Sequence, residues 1–246
     1  MRVQKALYPE GPEVCHALML HPPAGIAGGD ALTVQVRVGE GAKALITTPG
    51  AGKWYRSNGP LATQRLDFEV GPGAVFEWLP QESIVFDRVH GRTETVVRLA
   101  GDATFIGLDL LCLGRTASGE RLTRGQLRLA SRIERDGRLI WSEQGLIEGG
   151  SRLLDSPVGL CGQPVTGSLL VASDALDGSS RQPVTGSLLV ASDALDGSLL
   201  AACRELRPLV GEGAVTRLPD LLVARYLGPS AEAARALLTV AEDRGD

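Results

Sequence analysis

The sequence predicts a mainly β fold: a solenoid-like, two-layer stack of β-strands with one or two C-terminal helices. Three observations carry this. Residues 31–38 alternate, with Leu32, Val34, Val36 and Val38 on one side and Thr33, Gln35 and Arg37 on the other. That is a strand with one buried face. A degenerate unit of strand, Gly-rich turn and strand then recurs: residues 36–42 lead into 43–48, 68–74 into 75–80, and 97–103 into 104–109. The copies are offset by 32 and then 29 residues. One supersecondary unit per period of that length suggests stacked coils. Short strands with regular turns also fit a β-sandwich, the alternative architecture.

Residues 2–20 read as two short strands around a turn at Pro9-Glu10-Gly11-Pro12. Next comes the loop 21–30, HPPAGIAGGD. Its two prolines fix φ and withhold N–H donors, its glycines permit positive φ, and it ends in the carboxylate of Asp30. A second rigid loop, TTPGAGKWYRS at 47–57, follows one strand later. Lys53, Trp54, Tyr55 and Arg56 within it read as a partner-facing patch, since aromatic residues interleaved with cations suit an interface. A weaker fourth repeat copy runs through 133–137 and on to Glu143. The repeat alignment puts Thr48, Pro80, Asp109 and, through that fourth copy, Glu143 in one register. Asp109 lies inside Phe105-Ile106-Gly107-Leu108-Asp109-Leu110-Leu111. A carboxylate in such a run must be paired, protonated or turned towards an internal polar space.

Residues 163–198 contain a tandem duplication: 163–179 recurs letter for letter at 182–198, offset by 19. One copy is expected as a strand over 166–172. In the second copy Ser198 can cap a helix over 199–206, stopped before Pro208, whereas Arg181-Gln182-Pro183 interrupts that helix after the first. The first copy is therefore expected to bulge out as a loop, the alternative being that it displaces its twin in the sheet. Residues 221–227 read as a strand, and Ser230 as the N-cap of a helix over 231–241. The polar end, 242–246, should fray.

The 246 residues suit one domain spanning 1–246. A net charge of −4 and 4% aromatic residues argue against a nucleic-acid partner. Cys15, Cys112, Cys161 and Cys203 are widely spaced, without a CxxC pair, and Cys112 reads as a buried free thiol. The start carries no apolar signal core and no run approaches a membrane span, so a cytoplasmic protein is expected. Pro49-Gly50-Ala51-Gly52-Lys53 imitates part of a P-loop, but Thr47 stands where the first glycine belongs and Trp54 where Ser or Thr should follow. His16, His21 and His90 lack the i, i+4 spacing of a zinc protease, and no Gly-x-Ser-x-Gly elbow occurs. The residues read alone do not commit to an enzyme.

Four stretches in order, HPPAGIAGGD, TTPGAGKWYRS, FEWLPQESIVFD and LDLLCLGRTASGE, resemble the urease accessory protein family called UreD (UreH in some species) over roughly residues 2–229. The resemblance implies a non-enzymatic, chaperone-like scaffold, without a permanently bound cofactor, that binds apo-urease with UreF and, through UreF, the GTPase UreG, and helps load nickel. It implies a mostly β, solenoid-like fold with an internal polar path for transient Ni2+. Matching acidic positions are Asp30, Asp109 and Glu143. Oxygen ligands suit a relay because they release Ni2+ more readily than thiolate or imidazole clusters. Against the family pattern, this chain starts late, ends before a tryptophan-containing helix and carries the duplication. The alternatives are a β-solenoid interaction module without a metal role, or a truncated, non-functional copy.

Overall fold

In a computed structural model, which describes residues 1–174 and 207–239, the strands form two layers. The larger sheet carries β1 (Arg2–Val3), β2 (Val14–Leu20), β4 (Lys43–Thr47), β7 (Val75–Leu79), β10 (Thr104–Leu113), β13 (Val165–Ala172), β15 (Leu221–Gly228) and β14 (Glu212–Leu218), in that order. Two short strands, β5 (Gly52–Trp54) and β8 (Ser83–Val85), extend it beside β10. The smaller sheet runs β12 (Arg138–Glu148), β11 (Gly125–Arg135), β9 (Val89–Leu99), β6 (Ala62–Val70) and β3 (Ala31–Val38).

Each repeat unit is one coil. Its first strand lies in the smaller sheet, its Gly-rich turn crosses between layers, and its second strand lies in the larger one. The sequence offsets are the ladder registers. Val38 pairs with Val70 and Lys43 with Val75, 32 residues apart, while Val70 pairs with Leu99 and Val75 with Thr104, 29 apart. Because equivalent strands stack coil on coil, these pairings are parallel. The turns are tied together as well: Gly73 N–H donates to Asp102 Oδ1 at 2.6 Å, and Gly101 N–H to Asp136 Oδ1 at 2.9 Å.

The fourth copy departs from the pattern. At Asp136-Gly137 both residues have positive φ, 50° and 76°, and the chain folds back as a hairpin. So β12 stays in the smaller sheet, antiparallel to β11, and Glu143 does not share a sheet with Asp109. In the duplication, the first copy does not bulge out as a loop but takes the place in the sheet, the alternative reading. The first copy supplies β13, paired on one side with β10 and on the other with β15. Arriving through the short helix α1 (Arg152–Asp155) and the turn after it, the chain reaches the open edge of β10 with Val165, which pairs with Cys112. The second copy, the helix expected at 199–206 and the end of the chain lie outside the described residues.

Helix α2 (Ala231–Thr239) starts where the sequence places it; Ser230 Oγ accepts the Ala233 N–H at 3.1 Å. It packs Ala233, Ala234 and Leu238 on the outer face of the larger sheet, against Ile106, Leu108 and Leu110. Gly167 permits that approach, since a Cβ there would meet Leu110 and Leu238 at 2.3 and 3.1 Å. β10 is therefore covered on both faces, which is why it reads as an almost unbroken apolar run. Between the layers sit two further apolar clusters. One contains Phe68, Phe76, Trp78, Phe105 and Ile133. The other contains Ile26, Trp54, Val85, Leu111, Leu127 and Ile147.

Candidate functional site

The two inter-layer clusters do not meet. On β9, β11 and β12 the inner face runs apolar, polar, apolar, and the polar middles fall in register. On β9 Thr93 and Thr95 separate Val89 from Val97; on β11 Ser131 separates Leu127 from Ile133; on β12 Glu143 and Gly145 separate Trp141 from Ile147. Leu66, Thr95, Ser131 and Glu143 form one transverse row across the smaller sheet. On the larger sheet, Asp109, Ser168 and Arg225 form another across β10, β13 and β15. Facing each other, these rows enclose a cavity of about 250 Å3. It also takes in Thr48, Pro80 and Gln81, so all four residues that the repeat aligned reach one space. Glu143 does so from the opposite layer.

Asp109 is surrounded by protein, yet its side chain stays accessible because it faces this cavity. Among the described residues no donor reaches its carboxylate within hydrogen-bonding distance. Burial, reinforced by the negative charge of Glu143 and opposed by the Arg225 guanidinium, pushes its pKa up to about 6. Glu143 is paired: Arg225 Nη2 donates to its Oε1 at 2.6 Å, and Nη1 of the same guanidinium donates to Ser168 Oγ at 3.0 Å. Trp141 Nε1–H donates to Ser131 Oγ at 3.0 Å, fixing the wall beside Glu143. Arg225 escaped the sequence reading, although it carries the same signal as Asp109: a lone charge in an apolar strand, Leu221-Leu222-Val223-Ala224-Arg225-Tyr226-Leu227.

Asp30 is placed elsewhere. It does not line the cavity; its Oδ2 accepts the Ala27 N–H at 2.9 Å and closes the HPPAGIAGGD loop. That loop packs on the second one: Ile26 N–H donates to Lys53 O at 2.7 Å and Tyr55 N–H to Ile26 O at 2.9 Å. A Cβ on Gly25 would meet Tyr55 and Lys53 within 2.8 Å, so glycine is required there. The patch expected at 53–56 is split. Trp54 is 3% exposed and belongs to the inter-layer core, because Gly52–Trp54 is a strand paired with β8 rather than a loop. Arg56 is exposed, while Lys53 and Tyr55 are half-buried. Tyr55 meets Phe86 edge-on at 5.2 Å. Beside them Arg115 lies over the Phe86 ring at 4.6 Å and pairs with Glu120.

Cys112 is half-buried, and burial, with Glu82 nearby, pushes its thiol up to about 11, so it is an inert thiol at neutral pH. Among the described residues no three or more His, Cys, Asp and Glu side chains cluster closely enough to hold a metal. No described helix is long and apolar enough to cross a membrane.

Residues 1–242 match the family model described as "UreD urease accessory protein". A protein of that name from Azoarcus sp. (strain BH72) is 54% identical over 95% of this chain and 75% of its own length. One from Dechloromonas aromatica (strain RCB) is 50% identical over 96% and 76%. A third, from Pseudomonas aeruginosa PAO1, is 49% identical over 97% and 78%.

Proposed function

From the premise that this chain belongs to the UreD family of urease accessory proteins, and so has a part in urease maturation, we propose that it is a non-enzymatic scaffold whose inter-sheet cavity passes Ni2+ towards apo-urease. The observation that supports this is the meeting of Asp109 and Glu143, from facing sheets, in one polar cavity. An unneutralised carboxylate in a low-dielectric space attracts a divalent cation. Two carboxylates with hydroxyl and amide oxygens around them offer hard, exchangeable ligands in place of a tight cage. UreF, and UreG through UreF, are the partners that would supply the ion. Lys53 on β5, with Tyr55 and Arg56 just after it, is proposed to face a partner. Asp30 contributes by holding the HPPAGIAGGD loop in shape.

The inter-sheet pair of Glu143 and Arg225 also fits a module that only docks partners, with its charges serving as a stitch between layers. One experiment separates the two. Asp109→Ala combined with Glu143→Ala should leave co-purification with UreF and apo-urease intact while urease activation falls at least tenfold. Full activation by the double variant would remove the passage and leave the docking scaffold.

A further inference from the structure

Arg225 is the single Arg or Lys among the described residues lining the cavity. It stands one strand in from the edge of the larger sheet, and its partner Glu143 stands on β12, the edge of the smaller one. Their contact spans the gap between layers where both sheets end. Ser168 holds the guanidinium from the side, so one fork reaches the Ser168 hydroxyl and the other the carboxylate. Both charged partners keep water access, with side-chain exposures of 42% for Arg225 and 39% for Glu143. An ion pair that accessible is weakly held and exchangeable. Among the described residues the cavity therefore presents one carboxylate without a hydrogen-bonding partner, Asp109, and one already occupied by an internal cation.

We infer that Arg225 is a built-in competitor of the transported divalent cation: it occupies Glu143 until the cation displaces it, and reclaims Glu143 to drive release. This deepens, and rests on, the cation-passage reading above. A passage must bind and also let go, and an internal cation returning to one of two ligands lowers affinity without removing a ligand. A guanidinium suits this because it is always charged and swings on a long side chain, while Ser168 keeps it close by.

The test is calorimetric titration of the purified full chain with Ni2+, with release followed by mixing the loaded protein with a chelator. Arg225→Gln, which keeps a hydrogen-bonding group near Ser168, should bind Ni2+ at least tenfold more tightly and release it correspondingly more slowly. Glu143→Gln should weaken binding, and in that background Arg225→Gln should tighten it by less than about threefold, because the competitor no longer has a carboxylate to occupy. Should Arg225→Gln fail to fold, this double variant still decides, since it removes the pair without changing net charge and a tenfold gain over Glu143→Gln would mark simple charge repulsion. Unchanged affinity in Arg225→Gln, or the same tightening from Arg225→Gln with and without Glu143, would overturn the competitor role while Asp109→Asn still weakened binding. If Asp109→Asn binds as wild type does, the cation passage itself is wrong, and the competitor role falls with it.

Discussion

Asp109 carries its carboxylate into the cavity with no hydrogen-bond donor in reach among the described residues. In the unfolded chain its carboxyl ionises near the ordinary 3.8, whereas the folded protein holds the proton up to about 6. Between those values the native state binds more protons than the unfolded state, so stability falls as pH rises through that window and stays lower above it. Asp109→Asn should therefore melt above wild type at pH 8, with the gap closing between pH 6 and 4. A gap independent of pH would contradict the assignment. Trp54 shows the opposite relation between residue and site. Chemical character suggested an interface, but pairing of its strand with β8 turns the indole inwards. Trp54→Ala should lower stability by about 3–5 kcal/mol in denaturant unfolding, the usual range for a buried aromatic. Arg56→Ala, at an exposed position, should leave stability within about 0.5 kcal/mol of wild type.

At the scale of elements, the coil register was legible because the repeat offsets are inter-strand registers. Asp109 was legible because a carboxylate among leucines needs a reason. What stayed hidden depended on a choice made at a turn. Residues 133–143 resemble another coil, and only the hairpin at Asp136-Gly137 sends Glu143 to the opposite wall. The Glu143–Arg225 pair joins residues 82 apart through two sheets, which no local pattern records. Identical copies could not tell local sequence which one would take the β13 position. Glycines along the inner faces have different duties that coordinates distinguish. A Cβ on Gly91 would sit 2.9 Å from the Trp54 ring and from Leu127, whereas on Gly145 it would meet Leu129 at 3.8 Å, an ordinary contact. Gly91→Ala should destabilise by about 1–3 kcal/mol through overpacking, and Gly145→Ala should be nearly neutral, both read by thermal melting.

Across the whole molecule, the layered stack explains how a passage can exist inside a packed protein. Apolar clusters at either end of the strands hold the sheets together, and the polar band between them runs across the strands, from coil to coil. Hydroxyl, amide and charged groups in that band make a cavity compatible with water and ions rather than a void that would collapse. A transported cation should be found in this cavity. Crystals of the protein soaked in Ni2+ and measured at the nickel absorption edge should show anomalous density inside the cavity, within coordinating distance of Asp109 and Glu143. Nickel found only at outer positions such as His16, with the cavity free of anomalous signal, would contradict the central claim.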